Sequence, residues 1–202
     1  MMFLWKKEVT FVYRLEGEGT KIISQKKVGE TIDLLGPLGN GFYIDEIKEG
    51  NVVLIGGGVG IPPLYYLGKQ FVAKGIKVIS LLGFPSQEDS FLIENFSELG
   101  DVKVATIDGS YGVKGTVLDL MNDDLDGYPF YSCGPKGMLR AIQQYYVDNP
   151  QIEGYFSLEE RMGCGIGACY GCIVKVNLSY DLRGFKKVCS DGPVFPFREV
   201  IL

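Results

Sequence analysis

Apolar positions along the chain follow three rhythms, and each predicts a different kind of element. Over 8–15, Glu-Val-Thr-Phe-Val-Tyr-Arg-Leu alternates as a half-buried strand does. Residues 16–19 read as a turn, 21–27 as the return strand, and 31–35 runs into the glycine–proline bend 36–41. The region 1–48 is therefore expected to be β-rich, with about three strands, too few to close a barrel alone. From about 50 the rhythm changes. Val52-Val-Leu-Ile55 is apolar throughout, as strands buried on both faces of a parallel sheet are. Glycines follow, then Pro62, suited to the first turn of a helix running toward Lys74.

Further strands are predicted over 76–82, 101–107 and 128–132, and helices over 88–99, 116–121 and 136–147. This alternation marks 49–150 as a doubly wound α/β unit. The remainder, 151–202, offers one strand at 173–176 and is small enough to need a staple. No internal repeat or low-complexity tract appears.

Composition narrows the chemistry. An apolar content of 46% and an aromatic content of 12% suffice for a packed core, so disorder is excluded. A net charge of −5 argues against nucleic acid as a partner. The chain has no histidine, which removes histidine-ligated metals and Ser-His or Cys-His nucleophiles. Hydride and electron transfer need none of these. The stretch 52–68 carries no charge, but glycines and prolines break it and it is short for a membrane span. The apolar start at 1–5 ends at Lys6, Lys7 and Glu8, so no secretory signal is read there. A cytoplasmic protein with no membrane partner is expected.

Four of the cysteines carry the sharpest signal. Cys164, Cys169 and Cys172 stand in a C-x4-C-x2-C loop, and Cys189 follows after sixteen intervening residues. That is the plant-type [2Fe–2S] spacing. Gly163, Gly165, Gly167 and Gly171 let the backbone wrap closely around a cluster, because no Cβ intrudes. Structural zinc usually takes two cysteine pairs set apart by a spacer, and disulfides need an oxidising compartment. Both remain alternatives at this level.

A second signal is Gly56-Gly57-Gly58-Val59-Gly60-Ile61-Pro62, between a strand and a helix, where phosphates meet helix N-termini. The G-x-G-x-x-G fingerprint fails at Ile61. Four glycines in five positions still exceed the needs of a tight turn, which favours close approach by a ligand. Cys133-Gly134-Pro135 ends the fourth strand in the same way, so both turns are expected to face one crevice, with Cys133 either an ordinary buried thiol or, beside a nicotinamide site, a contact. Residues 83–89 contain no Lys or Arg to hold a 2′-phosphate, which favours NAD over NADP.

Together with the bend 36–42, the segment 160–164 and the ending 188–195 (Val-Cys-Ser-Asp-Gly-Pro-Val-Phe), these motifs resemble the electron-transfer subunits of NAD-linked dihydroorotate dehydrogenase, in the ferredoxin–NADP reductase superfamily. The resemblance covers nearly the whole chain. It implies a truncated β-barrel flavin domain over 1–48, a ferredoxin-reductase-like NAD domain over 49–150 and a small [2Fe–2S] domain over 151–202. It implies that NADH reduces FAD, and that single electrons pass through the cluster to FMN on a dihydroorotate dehydrogenase catalytic subunit of pyrimidine synthesis, in a heterotetramer. Tyr13, Arg14, Gly19 and Thr20 would contact FAD; Gly56, Gly57, Gly58, Val59, Gly60, Pro62, Cys133, Gly134 and Pro135 the nucleotide; and Cys164, Cys169, Cys172 and Cys189 the irons. The family's Arg-Pro-x-Ser flavin motif and several barrel strands lie upstream of the segment matching 8–15, so a partial barrel is expected. Two rival readings are the small subunit of a ferredoxin:NADP or sulfide oxidoreductase, where an aspartate is expected at Cys164, and a zinc-stapled nucleotide-binding module without redox activity.

Overall fold

A computed structural model describes residues 9–202; the apolar start at 1–5 and Glu8 of the first expected strand lie outside them. Among the described residues, the first region holds no strand and one short helix, α1 (Glu18–Ser24). The expected pairing of 8–15 with 21–27 is thus corrected. Thr20 is the local cause. Its hydroxyl oxygen accepts from the amides of Glu16 and Gly17 at 3.2 Å each, and its hydroxyl donates to the Gly17 carbonyl at 3.0 Å. The turn therefore opens a helix instead of a hairpin. Residues 9–15 and 31–35 find no partner strand among the described residues, and a strand without a ladder is not stable in water. No barrel forms.

The apolar runs then build the body. In order come β1 (Asn51–Gly57), a 3-10 turn (Gly58–Gly60), α2 (Ile61–Ala73), β2 (Lys77–Phe84), α3 (Ile93–Ser97), β3 (Gly100–Thr106) and β4 (Val113–Lys114). A 3-10 turn (Val117–Leu120), β5 (Phe130–Cys133), α4 (Lys136–Tyr145), β6 (Gly154–Ser157), β7 (Ile173–Lys175), β8 (Phe185–Lys187) and β9 (Val194–Pro196) follow. Seven strands form one sheet in the order β4-β3-β2-β1-β5-β6-β9, parallel except for the β6–β9 pair. β7 and β8 pair separately as an antiparallel hairpin.

Period-two side-chain direction sorts β1 between two layers. Val52 and Leu54 join Leu64, Leu67 and Phe71 of α2 in one core, and Val53 and Ile55 join Leu139 and Ile142 of α4 in the other. Each such fully buried aliphatic or aromatic side chain contributes about 1.5–3 kcal/mol. The helix expected over 88–99 shrinks to α3. A turn closed by Ser90 N–H on the Gln87 carbonyl, and left-handed Leu92 at φ 61°, hold the chain out of the helix until Ile93. β6 and β9 carry the third region into the same sheet, and Phe156 and Phe197 pack on Phe130. No helix among the described residues is long and apolar enough to cross a membrane.

The chain leaves β1 toward β2, β3 and β4, then returns to β5 on the other side of β1. This reversal is a topological switch point, and the carboxyl ends of β1 and β5 open a crevice there.

Candidate metal centre and nucleotide clefts

Four thiols meet in two pairs. The Cys169 side chain perturbs the Cys164 thiol and the Cys172 side chain the Cys189 thiol, so the four group as two neighbouring pairs. Among the described residues, no three Cys, Asp or Glu side chains close around a single-ion position. Two thiols per metal is the donor set of a two-iron cluster. Backbone amides point at three of the sulfurs: Gly167 N–H to Cys189 Sγ at 3.2 Å, Cys169 N–H to Cys164 Sγ at 3.3 Å, and Gly171 N–H to Cys169 Sγ at 3.4 Å. Backbone hydrogen bonds from Cys169 and Ile166 draw the Cys164 thiol down to about 6, and loss of solvent pushes Cys189 up. Cys172 and Cys189 are buried, while Cys164 and Cys169 are half-exposed, so one pair faces inward and the other outward. Gly163 is required here, since a Cβ on it would stand 3.0 Å from Cys169 Sγ.

The bend at 36–41 finds its role at this centre. Asn40 N–H donates to the Gly192 carbonyl at 2.6 Å, and its side-chain amide donates to the Ser190 carbonyl at 3.0 Å. It thus grips the turn that follows Cys189. Gly39, at φ +66°, lets the two backbones touch, because a Cβ there would lie 2.3 Å from the Gly192 oxygen.

Three clefts open around the switch point. One of about 620 Å³ lies over the carboxyl ends of β1 and β2, walled by Gly57, Gly58, Val59, Phe84, Asp89 and Thr116. A second of about 530 Å³ is walled by Tyr13, Arg14, Thr20, Gly60, Gly134 and Glu160. A third of about 740 Å³ runs from Tyr66 and Cys133 past Leu38 to Cys189. Arg14, Val59 and Pro135 border both the first and the second, and Leu158, Glu159 and Glu160 border both the second and the third. The clefts therefore adjoin in series, from the glycine turn to a thiol of the metal centre.

Three of the expected ligand glycines also serve close packing. A Cβ on Gly60 would stand 2.3 Å from the Cys133 carbonyl oxygen, one on Gly57 2.6 Å from Met138 Sδ, and one on Gly56 2.8 Å from the Ile61 side chain. Of the four glycines in that turn, only Gly58, at φ +51°, faces open space. Gly56 and Pro62 wall none of the three clefts, and neither does Gly19, which lies on α1. Tyr13, Arg14 and Thr20 do converge on the second cleft, beside Gly134 and Pro135. Cys133 is buried, and loss of solvent pushes its thiol up to about 12, so it stays neutral and unreactive. Sequence reasoning missed Thr116, Glu159 and Glu160, and placed Asp89 only within 83–89, where an acid could bind a bare ribose. Ser86 Oγ holds the Asp89 carboxylate at 2.7 Å, and Glu160 pairs with Lys136 at 3.6 Å. Only the acid at 89 carried a signal, as the ribose partner expected past a second strand.

The family described as the iron–sulfur cluster binding domain of dihydroorotate dehydrogenase B matches residues 159–201, which include all four paired cysteines. Over 199 residues the chain is 50% identical to "Dihydroorotate dehydrogenase B (NAD(+)), electron transfer subunit" of Bacillus mycoides (strain KBAB4). It is 51% identical to the protein of that name in Bacillus cereus (strain G9842). Each alignment covers 98% of this chain and 76% of the relative. Among solved structures, an NADH-dependent reduced ferredoxin-NADP oxidoreductase described for flavin-based electron bifurcation superposes with a TM-score of 0.81 at 31% identity, covering 94% of this chain and 67% of the other.

Proposed function

Since the chain belongs to the dihydroorotate dehydrogenase B electron-transfer subunits, we propose that it carries electrons from NADH, through FAD and a [2Fe–2S] cluster, to an FMN-bearing catalytic subunit that interconverts dihydroorotate and orotate in pyrimidine synthesis. The pairing of the four thiols beneath backbone amides carries this reading. When bound, the flavin takes the electron pair of a hydride and the cluster passes electrons one at a time.

Cys164 and Cys169 would hold one iron, and Cys172 and Cys189 the other. The three N–H···S bonds disperse thiolate charge and so favour the reduced state. Gly58 and Val59, which wall the first cleft, would receive the NADH pyrophosphate there. Asp89 would bind the bare adenosine ribose there and repel a 2′-phosphate. Tyr13, Arg14 and Thr20 would hold the flavin in the second cleft, where Pro135 and Val59 make the boundary with the nucleotide. Leu139 and Leu158 line that cleft and would limit water around the bound flavin. The assembly is read as two copies of each subunit in the cytoplasm, active as the complex.

Anaerobic purification with quantification of iron, acid-labile sulfide and flavin tests the reading. Two irons and two sulfides per chain are expected. Zinc in their place, or no metal, refutes it. Cys172→Ser is expected to abolish the cluster, and unchanged iron content would refute the ligand set. Mass measurement of the complex with the catalytic subunit checks the stoichiometry.

A further inference from the structure

Lys187 ends β8, two residues before Cys189, and its side chain turns back into the cysteine loop. Its ammonium donates to the Gly167 carbonyl and lies 4.5 Å from the centroid of the Tyr170 ring. Gly167 in turn donates its N–H to Cys189 Sγ at 3.2 Å. Side chain, loop and thiol thus close a small ring that returns to Lys187 along the backbone. The backbone of Lys187 is fixed as well. Its N–H donates to Asp191 Oδ2 at 2.7 Å, and its carbonyl accepts from the Asp191 amide at 2.8 Å. The Asp191 carboxylate is thus engaged by a backbone amide, while the ammonium reaches the loop.

We propose that Lys187 is a positioning residue for the cluster: it locks the Gly167 N–H onto Cys189 Sγ and sets a fixed positive charge beside the thiolates. The inference rests on the cluster reading above. Gly167 cannot hold itself in place. At φ +79° it has only glycine's conformational freedom, and a Cβ there would press on Ser190 at 3.0 Å. Uptake of one electron adds one negative charge to a four-thiolate cluster, so a nearby cation stabilises the reduced form and raises the potential. The half-buried position of Lys187 weakens solvent screening of that charge. Tyr170, 64% exposed, covers the ammonium with its ring and contacts Phe185 at 5.7 Å, so the cation has a prepared seat on the hairpin.

The test uses the full chain reconstituted with iron and sulfide under anaerobic conditions, poised against redox dyes and read by electron spin resonance. At a fixed ambient potential, Lys187→Gln is expected to lower the reduced-to-oxidised ratio by about tenfold, which is about 59 mV for a one-electron couple. Lys187→Arg keeps the charge and is expected to stay within about threefold of wild type. A Gln variant with wild-type potential overturns the proposal, and so do Gln and Arg variants shifted equally, since only shape would then matter. Should Lys187→Gln retain no cluster, Tyr170→Leu decides. Releasing the ammonium from its ring must lower the potential in the same direction, and an unchanged value overturns the assignment. Absence of iron and sulfide from the wild-type chain would instead defeat the cluster reading itself.

Discussion

A methyl group added at Gly60 would stand 2.3 Å from the Cys133 carbonyl oxygen, whereas one added at Gly58 meets nothing within 4 Å. Gly60→Ala must therefore push two backbone turns apart, at a cost of about 3 kcal/mol. At this chain length that lowers Tm by about 6–12 °C. Gly58→Ala carries only the strain of φ +51°, about 1 kcal/mol, and is expected to keep the fold while weakening NADH binding, measured by titration. A count of glycines does not reveal this difference, because it shows where a Cβ is missing and not what stands in its place. Cys133 was legible as a turn residue and as a buried thiol, and the structure buries it. Burial pushes its thiol from an ordinary 9.0 up to about 12, so across that window the unfolded chain has lost a proton that the folded one retains. The unfolded state binds fewer protons there, and stability falls as pH rises, by at most about 1.4 kcal/mol per unit. Urea midpoints at pH 8 and above are expected to decline less steeply in Cys133→Ala than in wild type.

Continuous apolar strands announce themselves at the level of elements, and paired ones do not. β1, β2 and β5 were legible because a strand buried on both faces is largely apolar along its length, and β3 because Val102 and Val104 alternate with Asp101 and Lys103. β6 and β9 span four and three residues, and only their place beside β5 makes them strands. The error at 21–27 has the same origin. Ile22 and Ile23 suit a strand by propensity, yet no partner ladder reaches them and Thr20 starts a helix. One inter-element tie lies wholly in a side chain. Gln143 of α4 donates to the Phe197 carbonyl at 2.5 Å and the Val200 carbonyl at 2.8 Å, holding the C-terminal tail on the sheet. Gln143→Leu keeps the volume and leaves both carbonyls unpaired, so a loss of about 2 kcal/mol is expected. Thermal unfolding should show it as a fall of about 4–8 °C.

Electrons that reach a buried thiol pair must also leave, and the whole molecule shows where. The outer pair, Cys164 and Cys169, is half-exposed, and around it Ile166 and Tyr170 are each 64% exposed. Tyr170 meets Phe185 of the β7–β8 hairpin, whose tip carries Leu182 at 91% exposure. Apolar side chains held out in water around a redox centre mark a docking face, since a monomer gains nothing from displaying them. The series of adjoining clefts meets the centre at Cys189, a member of the buried pair. Leu182→Glu is accordingly expected to weaken assembly with the catalytic subunit about tenfold or more, as a charge would be buried without a partner. Iron content and reduction by NADH should be unchanged in that variant, because the substitution touches neither thiols nor clefts. Sedimentation of the mixed subunits checks the first outcome, and anaerobic bleaching of the visible bands checks the second. Undiminished assembly would move the exit to another face and leave the apolar rim without a role.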